Sequence, residues 1–198
     1  MTDAQTVPVR LGPAEQQAEV VGDVARRLGV ALDVGPVSSL GTTVGDVLLP
    51  DGVPRWMVEA AFLRALRPRH VLFLCVANSA RSQLAEGLAR AVAPADIKIS
   101  SAGSAPTAVR PQAIAVMDEI GVDITGHRSI GIDDVDRPVA AVVTLCAEEV
   151  CPVWLEDAWR VHWGLPDPAG AGSSPEAELD AFRSVRDELT KRFEVLFG

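Results

Sequence analysis

The chain has 198 residues, 48% of them apolar and 23% charged, with a formal net charge of −9. That size and balance suit one good-sized domain, or one domain with a smaller appendage, and argue against disorder throughout. The negative charge disfavours nucleic acid and anionic membrane as partners, and no stretch approaches the apolar length of a membrane span.

Taken in chain order, residues 13–28 predict a helix, with Ala18, Val21, Val24, Ala25 and Leu28 as its apolar stripe. Residues 29–52 are rich in Gly, Val, Ser and Thr. A second helix follows over 54–66, offering Trp56, Val58, Phe62 and Leu63 for burial. From His70 onward strands and helices alternate. Strands are expected at 70–76, 97–101, 139–145 and 160–163, and helices at 82–92, 111–120 and 175–196, the last opened by Ser174 as N-cap. The order implies an α/β fold, a four-stranded parallel sheet with helices against both faces. A boundary at 67–69 separates residues 1–69, a mostly helical extension, from a domain at 70–198. The extension is nearly neutral and shows no chemical motif. It reads as a packing or dimerisation element, with a homodimer through residues 1–69 as one expectation, or as a small partner-binding module.

Residues 1–10 lack the basic-then-apolar pattern of a signal peptide, so a cytoplasmic location is expected. The three cysteines, Cys75, Cys146 and Cys151, are odd in number and too few for a secreted disulfide scaffold. In a cytosolic chain such cysteines point to catalysis, metal or redox chemistry, with a small buried hydrophobe as the plain alternative. Three cysteines and a distant His162 make a weak zinc set, and no metal or cofactor is expected.

The segment 71–90 (VLFLCVANSARSQLAEGLAR) places Cys75 at the end of a strand, five residues in a loop, and Arg81 at the start of a helix. The loop of Val76, Ala77, Asn78, Ser79, Ala80, Arg81 and Ser82 can turn its backbone N–H groups inward as a nest for a tetrahedral oxyanion. The helix adds the positive end of its dipole, and Arg81 adds a planar fork of donors. The same field favours a thiolate at Cys75, since thiols in such settings fall from about 8.5 to roughly 3.5–7.5. Asn78 tolerates the left-handed backbone that a tight loop needs, while Ser79 and Ser82 can donate hydrogen bonds to the thiolate or the loop.

This loop resembles the one shared by low-molecular-weight tyrosine phosphatases and the arsenate reductases related to them. Ser101-Ala102-Gly103, His127-Arg128-Ser129, Cys146, Cys151-Pro152, His162-Trp163 and Asp167-Pro168 follow in the same family's order, and the match spans about 71–193. The resemblance implies Cys75 as nucleophile, Asp167 as general acid, and arsenate in the loop, with phosphate or sulfate as competing anions. Three features favour the reductase branch. Gln83 stands where phosphatases usually have proline. Ala169 follows Asp167-Pro168 where they often place an aromatic residue. Cys146 and Cys151 resemble the redox pair of thioredoxin-coupled reductases, which implies thioredoxin or another thiol reductant as partner. The spacing departs from that pattern, with four residues between these cysteines instead of six. A phosphatase using Cys75, Arg81 and Asp167, a single-cysteine reductase using an external thiol, and an anion sensor stay open as alternatives.

Overall fold

A computed structural model describes residues 6–11, 16–34, 44–147 and 152–198. The chain divides into two compact units, Met1–Pro68 and Arg69–Gly198.

In the first unit, β1 (Thr6–Arg10) pairs antiparallel with β2 (Val44–Leu48), placing Val7 opposite Val47. Val7, Val9 and Val47 are buried, as are Val20 and Val24 on helix α1 (Gln17–Leu28). Helix α2 (Arg55–Leu66) buries six consecutive residues from Val58 to Leu63. One of these is Glu59, whose Oε1 accepts from Arg55 Nε at 2.8 Å. The helix closes on Arg67, whose left-handed backbone (φ 46°) returns its N–H to Leu63 O, and Pro68 prevents continuation. Both helices lie within the spans their apolar spacing predicts, although residues 12–15 are outside the described set. The β1–β2 ladder adds two short strands to an extension read as mostly helical. It was hidden because Pro8 interrupts the first strand and Gly45 the second.

In the second unit, β3 (His70–Cys75) is buried at all six positions, as a central parallel strand covered on both faces must be. Strands β4 (Lys98–Gly103), β5 (Ala141–Cys146) and β6 (Trp159–Leu165) complete a sheet of order β4-β3-β5-β6, every pair parallel. The edge strand β6 buries Trp159, Val161, Trp163 and Leu165 and turns Arg160 and His162 outward. Helices α3 (Arg81–Val92), α4 (Pro111–Asp118) and α5 (Pro175–Phe197) pack on one another. Phe193 of α5 meets Phe73 of β3 edge-on, with centroids 5.4 Å apart. The N-cap of α5 is the predicted one, Ser174 Oγ accepting from Ala177 N at 3.2 Å.

The other face of the sheet carries Leu72, Leu74, Ala102 and Val142. Val135, Val139, Trp154 and Ala158, from irregular segments, pack against them. Within this unit the three α-helices therefore gather on one face, and irregular segments with a short 3-10 turn at Ile132–Asp134 close the other, where helices against both faces were expected. The guanidinium of Arg137 lies 5.0 Å from the Trp154 ring centroid and ties two of these loops together.

His70, at the start of β3, bonds on both ring nitrogens, Nδ1 to Pro138 O at 3.1 Å and Nε2 to Ser100 Oγ at 2.7 Å. Burial is the main cause that pushes its pKa below 6.5, and burial likewise lowers half-buried His127. Both rings are thus held neutral in the fold. As pH falls below 6.5 the unfolded chain takes up these protons first, so stability drops there and recovers fully above 6.5. Among the described carboxylates, Glu119 is held at about 2 by Arg183 and Arg186, so its contribution is present at both pH 7.5 and 5.5 and is lost only at lower pH. Urea unfolding at pH 7.5 and 5.5 should show a lower midpoint at 5.5. His70→Asn should flatten that slope, and an unchanged slope would show that His70 is not held neutral.

Candidate active site

The parallel sheet brings its C-terminal strand ends to one edge, where ligands bind in α/β folds. Cys75 ends β3, Gly103 ends β4, Cys146 ends β5, and Asp167 stands two residues beyond β6. Cys75 is 2% exposed.

The loop after Cys75 is shaped by where its carbonyls go. Val76 O accepts from Ala105 N (3.0 Å), Ala77 O from Thr107 N (3.0 Å), Ser79 O from Arg110 N (2.9 Å) and Ala80 O from Leu84 N (2.9 Å). Asn78 O accepts from Ser129 Oγ at 2.6 Å and from Gln83 Nε2 at 3.0 Å. Five successive carbonyls are therefore tied outward. A trans peptide is planar, so each N–H opposes its own carbonyl, and the N–H groups of residues 77–81 turn toward the inside of the loop. The reversal needs Asn78 in the left-handed region, and its φ is 47°.

The loop also needs Gly103. A Cβ there would lie 2.4 Å from Val76 O and 2.8 Å from Asn78 N, so only glycine lets β4 pass this close beneath the loop.

Asn78, fully buried, organises the interior. Its Oδ1 accepts from Ile130 N at 2.8 Å and from Gln83 Nε2 at 3.1 Å. Its Nδ2 donates to Ser82 Oγ at 2.9 Å and to Ser101 Oγ at 2.8 Å. Ser82 Oγ in turn stands 3.0 Å from Cys75 Sγ. Gln83 also reaches Arg128 O (3.2 Å), and His127 Nδ1 bonds Gln83 Oε1 at 2.9 Å.

Arg81 opens α3 with its side chain 4% exposed. Its Nη1 donates to Leu165 O at 3.1 Å, and its Nη2 pairs with Asp167 Oδ2 at 3.2 Å. The charge on Asp167, which is 45% exposed, thus sits against the one guanidinium that opens the helix. A cavity of 390 Å³ lined by Leu165, Pro166, Asp167, Pro168 and residues of α5 adjoins it.

This arrangement is a cradle for a tetrahedral oxyanion beside a sulfur nucleophile, with a carboxyl at its mouth. A family model described as low molecular weight phosphotyrosine protein phosphatase matches residues 70–198. The chain belongs to that family. Within it, residues of this chain are 42% identical over 125 residues to an arsenate reductase of Halalkalibacterium halodurans, spanning 62% of this chain and 90% of that protein. An arsenate reductase of Bacillus subtilis is 40% identical over 125 residues, with the same coverage. A solved arsenate reductase in the phosphate binding state is 36% identical and covers 65% of this chain and 96% of its own, with a TM-score of 0.55.

The family fold places Cys75, the loop of residues 76–82 and Asp167 together at one edge, and Cys146 on the adjacent strand end. Cys151 lies outside the described residues. Sequence reasoning passed over the outward anchors of the loop, because backbone N–H groups of Ala105, Thr107 and Arg110 carry no side-chain signal. It also passed over Arg90, whose guanidinium closes on Glu86 one turn along α3. An i,i+4 Glu–Arg pair was the signal available, but such pairs are common on solvated helix faces.

Proposed function

We propose that this chain reduces arsenate to arsenite, with Cys75 as the nucleophile. The observation that carries the reading is the outward tying of five successive loop carbonyls around a buried cysteine, in a chain similar to arsenate reductases.

In this reading the inward N–H groups of residues 77–81 and the Arg81 fork hold the arsenate oxygens. An arriving oxyanion competes with Asp167 for Arg81, and the displaced carboxyl turns to the leaving oxygen. The Cys75 thiolate attacks arsenic, an As–O bond breaks, and Asp167, having taken a proton from the entering hydrogen arsenate, returns it to the departing oxygen so that hydroxide leaves as water. Cys146 then attacks the Cys75 sulfur. The S–As bond breaks with its electron pair going to arsenic, which leaves as arsenite, and a Cys75–Cys146 disulfide remains. Cys151 attacks Cys146, freeing Cys75, and an external dithiol such as thioredoxin reduces the Cys146–Cys151 disulfide.

The β5 register supports a rearrangement at the second step. Leu74 pairs with Thr144, and in a regular sheet Cys75 and Cys146 alternate to opposite faces. The β5–β6 register shifts between Thr144 and Cys146, with the extra residue on β6, so the ladder is irregular beside the strand end that carries Cys146. Residues five apart in a helix are separated by roughly 7.5 Å along its axis, whereas a disulfide needs Cα atoms within about 7 Å and Cβ atoms much closer. The Cys146–Cys151 bond therefore requires a loop between them.

Arsenite formation with thioredoxin, thioredoxin reductase and NADPH tests this function directly. Hydrolysis of p-nitrophenyl phosphate without arsenate turnover would assign a phosphatase instead. Asp167→Asn should slow the first chemical step about 100-fold or more while arsenate still protects Cys75 from alkylation. Wild-type turnover in that variant would remove Asp167 from the acid role.

The first unit is assigned assembly or stability and no chemistry, because the loop and Asp167 lie in Arg69–Gly198. A chain shortened to begin at Pro68 should keep turnover per folded molecule. Loss of turnover in a cooperatively folded shortened chain would contradict this.

A further inference from the structure

Two side chains outside the oxyanion loop connect to its sulfur. Glu86, on α3, is 8% exposed, and its two oxygens have different partners. Oε1 pairs with Arg90 Nη2, and Oε2 accepts from Ser101 Oγ at 2.5 Å. Arg90 is half-exposed and its Nη2 also reaches Ile99 O at 3.4 Å.

The groups available orient the bonds that run from Glu86 through Ser101 and Asn78 to Ser82. Asn78 Oδ1 accepts from Ile130 N, so the other end of that amide must be the NH2. It donates to both Ser101 and Ser82. Ser101, its oxygen already accepting, must point its proton at Glu86, which only an acceptor there permits. Ser82, likewise accepting from Asn78, gives its proton to Cys75 Sγ when the sulfur is the thiolate of the proposed reading.

We propose that Arg90 is a positioning residue for Cys75, acting through Glu86, Ser101, Asn78 and Ser82 to present a hydroxyl proton to the sulfur. This rests on the reading of Cys75 as the nucleophile. Glu86 and Arg90 form a charged pair with neutral His127 beside it and Asp123 at the margin, and on the loop's other side Arg81 and Asp167 are charged neighbours. Among the described residues, Arg90 alone joins half-exposure with a direct charge contact to the buried carboxylate. Its side chain stands nine residues along α3 from Arg81, roughly 13 Å by helix rise. A residue at the surface thereby tunes a nucleophile at the floor of the site.

The test is the pH profile of iodoacetamide alkylation at Cys75, followed by mass spectrometry on the full chain without arsenate. Arg90→Met should shift the profile to higher pH, with roughly threefold slower alkylation at pH 6, about one hydrogen bond's worth. Arg90→Lys should restore most of the wild-type profile. Ser101→Ala breaks the same chain at its middle, so the double variant should shift no further than the single ones. A folded Arg90→Met protein with the wild-type profile overturns the proposal, and so do additive shifts in the double variant. Should Arg90→Met fail to fold, Arg90→Lys and Ser101→Ala carry the same comparison, and a wild-type profile in Ser101→Ala overturns it. Failure of arsenate reduction in the wild type would instead strike the proposed function, because alkylation needs no arsenate.

Discussion

Replacing Cys75 with serine should lower arsenite formation by roughly 10⁴-fold or more, the scale seen when a covalent nucleophile is removed. The hydroxyl is isosteric enough to keep the hydrogen bond to Ser82 Oγ, which stands 3.0 Å from the sulfur. It cannot form the sulfur–arsenic bond, nor a disulfide, so both electron-transfer steps stop while anion binding persists. Isotope-labelled phosphate should still bind this variant. Substantial turnover in Cys75→Ser would remove the nucleophile assignment altogether.

The second large effect is expected at a residue with no side chain. In Gly103→Ala the added Cβ meets backbone, Val76 O at 2.4 Å and Asn78 N at 2.8 Å, and backbone cannot rotate away. The loop has to lift, which displaces the inward N–H groups. A displacement of about 1 Å in such a site costs roughly 100-fold in rate, and overpacking adds about 1–3 kcal/mol of destabilisation. Turnover together with the urea midpoint measures both. Full activity in Gly103→Ala would mean that the loop does not rest on β4.

Much of this was legible from residue types alone. Strands β3 and β5 announced themselves as apolar runs of strand length, and α5 by Ser174 and its period. The loop was readable because cysteine, asparagine, arginine and serine each have few other reasons to share that spacing. The β1–β2 ladder was not, since five-residue strands interrupted by Pro8 and Gly45 carry little period. The closure of one sheet face by loops around Val135, Val139 and Trp154 was equally hidden, because isolated apolar residues in irregular segments have no periodicity to read. The course of the loop carbonyls depends on contacts with residues 105–110, and backbone partners leave no trace in sequence.

The central claim is that both electrons for arsenic come from this chain's own thiols. Its most direct test is a single turnover. The fully reduced full-length protein is mixed with arsenate, no reductant is added, and arsenite is counted by chromatographic separation of the two arsenic species. One arsenite per chain is predicted, with two of the three thiols lost to a disulfide. Arsenite no higher than the Cys75→Ser background would contradict the account, because the chain would then lack its own electron source.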